Sequence, residues 1–168
     1  KADAVLGTML AARKLPDSTR IMEYLSHPKV EKVFELSRNV GGEAHSLKGF
    51  LRFQELANGV LYAGITPKSQ VLTCLAPHFA DRLPLENWMI HDKTHHMFVV
   101  HESGKKWILL WDEQCKIEEN LTFSEREKEF EKLWKGFCKT ISIPSRENPK
   151  CQRQHLPLRF RPDMVEFR

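Results

Sequence analysis

No stretch of the 168 residues approaches the ~20 consecutive apolar residues of a membrane-spanning helix. Cysteine is scarce: four residues, at 74, 115, 138 and 151, none in C-x-x-C spacing. The chain therefore carries no ligand set of its own for an iron–sulfur cluster or a zinc ribbon. The eight glycines form neither a G-x-G-x-x-G fingerprint, a phosphate-binding P-loop nor a G-x-S-x-G nucleophile elbow, which speaks against dinucleotide, NTPase and acyl-hydrolase chemistry. H-E-x-x-H and the H-x-E…P-C-x-x-C pattern of zinc deaminases are also missing.

What is present describes a globular domain. Hydrophobic residues make up 41% and charged residues 29%. A chain of this length buries roughly 70% of its unfolded surface and needs neither disulfides nor metal to be stable. We expect one domain over 1–168, with 1–27 as a helical N-terminal extension and 28–168 as the core. Ala2–Ala12 reads as a helix rather than a secretory leader, so reduced thiols and a cytoplasmic location are expected. The net charge of +4 is polarised along the chain. Asp112–Glu131 is rich in glutamate. The tail from Arg146 onward holds six cations (Arg146, Lys150, Arg153, Arg159, Arg161, Arg168) against three acids.

The first forty-five residues have helical spacing. Val5, Leu6, Met9 and Leu10 form one apolar stripe, and Pro28 opens a second helix that Gly41–Gly42 stops or kinks. The period then changes. Phe50–Leu56 and Val60–Thr66, joined by Ala57–Asn58–Gly59, predict a hairpin. A helix interrupted by Pro77 follows, then three strands: Trp88–Asp92, Met97–Glu102 and Lys106–Asp112. The last is apolar on both faces and reads as a covered, central strand. Ser124 and Glu127 form a capping box opening a helix with Phe130, Leu133, Trp134, Phe137 and Ile141 as its buried stripe. The fold class is α+β: N-terminal helices, an antiparallel sheet of about five strands (hairpin, helix, three-stranded meander), a closing helix and an irregular basic tail.

Three groups carry candidate chemistry. His78 and Arg82, with Asp81 between, sit four apart between Pro77 and Pro84; they read as an anion or acid–base site, or as a buried network tying helix to sheet. His45 precedes Lys48 and Arg52, which flank Phe50, with Tyr62 on the neighbouring strand. Cations interleaved with aromatics suit nucleic-acid backbone contacts and base stacking; the alternative is an ordinary sheet face in which Arg52 forms a salt bridge. Arg146, Lys150 and Arg153 extend that patch or are plain solvated charges. The histidines at 91, 95, 96 and 101 are spread over two strands and their turn, so we expect turn or surface histidines and neither metal nor cofactor.

Several longer stretches carry a resemblance: His45-Ser-Leu-Lys-Gly-Phe-Leu-Arg-Phe53, Ala76-Pro-His-Phe-Ala-Asp-Arg-Leu-Pro84, Glu86-Asn-Trp-Met-Ile-His-Asp92, Leu133-Trp-Lys-Gly-Phe-Cys-Lys-Thr-Ile141, Arg146-Glu-Asn-Pro-Lys-Cys-Gln152 and His155-Leu-Pro157. Together they resemble a bacterial family of unknown molecular function labelled "probable DNA metabolism protein". Its members occur beside a radical-SAM protein, and many are fused to a uracil-DNA-glycosylase-like domain. The resemblance implies a role in DNA repair or modification, with DNA, the radical-SAM protein and the glycosylase-like domain as partners. The glycosylase and radical-SAM motifs are themselves missing from this chain. The leading expectation is therefore an accessory module that binds DNA or the partner through Lys48, Arg52, Tyr62 and the tail. The alternatives are an enzyme acting on DNA or nucleotides through His78, Arg82, Asp92 and His45, and a structural domain that stabilises a partner.

Overall fold

The computed structural model describes residues 1–111 and 121–168. Cys115 and the expected end of the fifth strand at Asp112 lie outside them. The chain forms two compact units, Lys1–Glu43 and Ala44–Arg168.

In the first unit, α1 (Ala2–Ala12) is followed by a 3₁₀ turn, Ser18–Glu23, which Asp17 caps by accepting from the Thr19 N–H. Asp3 of α1 pairs with Lys29. The face of α1 that is buried carries Ala4 and Thr8, whereas Val5, Leu6, Met9 and Leu10 are exposed. The apolar stripe read from the sequence is thus not the packed one.

Helix α2 (Pro28–Phe50) contributes its residues to Glu43 to the first unit and the rest to the second. It continues as helix through Gly41–Gly42, so the expected stop does not occur there. Each glycine costs a helix about 1 kcal/mol relative to alanine. Burial of Ala44, Leu47 and Leu51 on one face offsets this further along. The helix also claims the start of the expected first strand: the Leu51 N–H still donates to the Leu47 carbonyl at 2.9 Å.

The second unit is built on a five-stranded mixed sheet in the order β1-β2-β3-β4-β5. β1 (Gln54–Glu55) and β2 (Leu61–Ile65) are the expected hairpin. Asn58 and Gly59 make its turn: the Val60 N–H donates to Asn58 Oδ1, and Gly59 takes φ +80°, which a side chain would resist. β3 (Trp88–Asp92), β4 (Met97–His101) and β5 (Ile108–Trp111) form the expected meander. The join between hairpin and meander differs from expectation. β2 and β3 are parallel, with Leu61 opposite Trp88 and Ile65 opposite Asp92. Helix α3 (Leu72–Arg82) carries the chain back across the sheet between them, as a parallel connection requires. β5 is also at one end of the sheet order, and its Ile108 and Trp111 are exposed rather than covered.

The core gathers β2, β3, β4 and α3: Ile65, Leu75, Ala76, Trp88, Ile90, Phe98 and Val99 are all buried. Phe53 meets the edge of Phe79, with ring centroids 5.2 Å apart. Helix α4 (Glu125–Thr140) begins at the Ser124 cap, whose Oγ accepts from the Glu127 N–H at 3.0 Å. The expected return bond of the capping box goes elsewhere. Glu127 instead accepts the Glu55 N–H of β1, and Ser124 Oγ donates to the Glu55 carboxylate. The cap therefore fastens the helix to the sheet. The stripe expected to be buried on α4 is exposed, Leu133 by 68%. The tail contains α5 (Pro149–His155) and 3₁₀ turns that bury Phe160, Met164 and Val165. No helix among the described residues is long and apolar enough to cross a membrane.

Candidate functional site

Two helix ends place four basic side chains in one cleft of the second unit. On α2, burial of Ala44, Leu47 and Leu51 turns the opposite face outward, and His45 and Lys48 lie there one helical turn apart. On α3, burial of Leu72, Leu75, Ala76 and Phe79 leaves His78 and Arg82, also one turn apart, on the accessible side. These faces meet across an open cleft of about 680 Å³. Its lining is His45, Lys48, Gly49, Leu51, Phe53, His78, Phe79, Arg82 and Leu83. The sequence offered His45, His78 and Arg82 as one candidate set and Lys48 as part of another. The structure puts them in the same place.

No carboxylate lines the cleft. Lys48 and Arg82 make no ion pair among the described residues. The floor is apolar and aromatic, and His78 lies edge-on to Phe79 at 5.0 Å between centroids. Lys48 and Arg82 occupy the last turns of their helices, where a cation also complements the helix dipole by about 0.3–1 kcal/mol. That effect accounts for one cation per helix end. It does not account for the addition of two imidazoles and the exclusion of acids.

The donor set suits an oxyanion. Lysine and arginine offer only N–H donors, and imidazole offers one or two. The same cations disfavour a divalent metal. Among the described residues, no group of three or more histidine, cysteine, aspartate or glutamate side chains is placed to hold one.

The other predicted residues lie elsewhere. Asp92 is fully buried at the end of β3, where its Oδ1 accepts the N–H groups of Thr94 and His95 and its Oδ2 meets His95 Nδ1 at 2.7 Å. It braces the β3–β4 turn and does not line the cleft. Tyr62 is buried, with its hydroxyl 3.2 Å from His91 Nδ1, so its ring offers no outward stacking face. The helical state of residues up to Phe50 removes the expected sheet face that joined Lys48 and Arg52, flanking Phe50, to Tyr62 on the neighbouring strand. Arg52 caps α2 by donating to the Gly49 carbonyl and forms a fork with Glu166 at 2.9 and 3.2 Å. Burial pushes the Glu166 carboxyl up, but the Arg52 hydrogen bonds, its own backbone N–H, the Arg52 charge and Trp134 together hold it below the usual range. Arg146 lies on the 3₁₀ turn Pro144–Arg146, and Lys150 and Arg153 on α5; all three are exposed and outside the cleft.

Sequence reasoning missed Phe53 and Phe79 as parts of the site. Phe79, between His78 and Arg82, was the available signal. Phe53 was hidden by its assignment to a strand. Of the histidines, His101 is buried, stacked on Trp88 and bonded to the Glu86 carbonyl, while His91 stacks on Phe98. Cys74, Cys138 and Cys151 are free thiols.

Neither a curated protein nor a solved structure matches the chain. Residues 2–166 do match one family, described as a domain of unknown function, DUF4130, and the chain belongs to that family.

Proposed function

We propose that the chain is an accessory module of DNA repair or modification that binds nucleic acid through this cleft. One observation carries the reading: His45, Lys48, His78 and Arg82 converge on an aromatic floor with no acid among them. Phosphate contacts supply affinity in such a site, and the half-buried Phe53 offers an apolar seat for an unstacked base. The magnitudes suit a weak, salt-sensitive binder. An exposed charge pair contributes about 1 kcal/mol at 4 Å in water, and stacking on an aromatic about 1–3 kcal/mol per base. A few such contacts give dissociation constants from roughly millimolar to micromolar. The family resemblance supports DNA as the polyanion. It also supports a radical-SAM protein or a glycosylase-like domain as the partner that performs chemistry on the DNA, in the reducing cytoplasm where free thiols persist.

Fluorescence anisotropy tests the reading with labelled single-stranded, duplex and abasic DNA at two salt concentrations. Lys48→Ala and Arg82→Ala are each expected to weaken binding about fivefold and to lower the salt slope by about one. Binding unchanged in both variants overturns it.

The two imidazoles in one cleft favour a second reading, an enzyme on DNA or nucleotides with His45 and His78 as proton-transfer groups. It expects product formation from a labelled oligonucleotide that His78→Asn abolishes while anisotropy is retained. An unaltered oligonucleotide after prolonged incubation with the wild-type chain, alone and with the partner, removes it.

A further inference from the structure

The size of the basic cleft and the way its donors converge restrict which part of a nucleic acid it can hold. At about 680 Å³ it has the dimensions of a small-molecule site, which span roughly 300–1,000 Å³. A running strand carries its phosphates in a line, and proteins that hold one lay cations along a groove that follows it. Here His45, Lys48, His78 and Arg82 come from two helix ends that meet at a single cleft, and Arg146, Lys150 and Arg153 of the tail take no part in its lining. Four donor side chains exceed what one internal phosphodiester uses, since it presents two free oxygens and a single negative charge. A phosphomonoester presents three oxygens and carries about −1.5 to −2 charges at pH 7. Lys48 and Arg82 match that charge one for one. Set against about half a negative charge at each helix C-terminus, they still leave the cleft positive. The imidazoles of His45 and His78 add N–H donors for the remaining oxygen lone pairs. Half-buried Phe53 and Leu83 complete the wall, an apolar surface that a bare phosphate ion does not need and a nucleobase does.

We propose that the cleft selects a terminal nucleotide phosphate, the phosphomonoester carried by a strand end or by a free mononucleotide. This rests on the nucleic-acid reading above and narrows it from the strand to its end. Anisotropy of an internally labelled single strand tests it, with the strand 5′-phosphorylated, 3′-phosphorylated, hydroxyl at both ends, or closed into a circle. A phosphorylated end should tighten binding at least about fivefold over hydroxyl ends, the factor that one further exposed charge contact supplies. Lys48→Ala and Arg82→Ala should each remove that advantage; both side chains are exposed, so the circular dichroism spectrum should not change. Competition with a deoxynucleoside monophosphate, the matching nucleoside and inorganic phosphate separates the two sources. Displacement by the monophosphate at concentrations where the other two fail identifies a mononucleotide site. Displacement only by phosphorylated strands identifies a strand end. Hydroxyl-ended or circular strands that bind as tightly as phosphorylated ones, and that Lys48→Ala and Arg82→Ala weaken, overturn the preference for ends and leave the nucleic-acid reading standing. A phosphate advantage that survives both substitutions also overturns the proposal, because it places the terminal phosphate outside the cleft. No binding of any strand or of the monophosphate overturns both.

Discussion

Arg52 illustrates how one residue changes meaning between sequence and structure. Between Lys48 and Phe53 it reads as a phosphate contact. In the fold its guanidinium is occupied by Glu166 and by the carbonyls of Gly49 and Leu51. Its loss should therefore be seen in stability before binding. Arg52→Ala is expected to destabilise the chain by about 1–2 kcal/mol, the lower part of the range for hydrogen bonds to charged groups, because Arg52 keeps 28% of its side chain in water. Urea denaturation with an unchanged slope measures this. The sign of the pH dependence follows from the lowered Glu166 pKa. The pair's contribution is complete above the ordinary glutamate value of about 4.3 and is lost as pH falls through the lowered folded value. Glu166→Gln should flatten that acid-side loss, as read by melting temperature between about pH 3 and 6. The cleft residues were readable as candidates because each is a titratable or cationic side chain, His78 and Arg82 four apart on a helix and His45 and Lys48 beside the aromatic Phe50. Their union was not, because it depends on α2 persisting to Phe50. Tyr62 and Asp92 were misjudged for the opposite reason, since burial alone distinguishes a structural polar group from a functional one.

At the scale of elements, local chemistry was faithful wherever it was short-range. The Asn58–Gly59 turn and the Ser124 cap both stand where the sequence puts them. Gly59→Ala should cost about 1–2 kcal/mol, since only glycine accepts a positive φ there without strain. Ser124→Ala should cost about 1–2 kcal/mol, at the upper end for a cap because it also deprives Glu55 of its donor. Both are checked by equilibrium unfolding. Strand direction was not local. A helix between two strands is the signature of a parallel crossover, and α3 supplied that signal, but the surrounding hairpins favoured an antiparallel reading. Burial was also misjudged for α4 and β5: an apolar stripe fixes which residues share a face, not whether that face meets the same chain.

For the molecule as a whole, the net charge of +4 matters less than where unpaired cations gather. If the cleft alone holds duplex DNA, Lys48 and Arg82 give a log–log salt slope of about −2, from roughly −0.9 per phosphate neutralised. Engagement of Arg146, Lys150 and Arg153 as well would steepen it toward about −4 or −5. Titration of the wild-type chain against an Arg146→Ala/Lys150→Ala/Arg153→Ala variant separates the two cases. The crossover through α3 has a kinetic consequence. His78 and Arg82 lie on the segment that must loop back before β3 can pair with β2, whereas His45 and Lys48 lie on a helix that forms from near neighbours. Parallel pairing is among the slower events of folding because chain closure precedes any reward in contacts. After dilution from denaturant, helical signal should therefore return first, and the ability to quench a labelled oligonucleotide should return only with the final sheet phase.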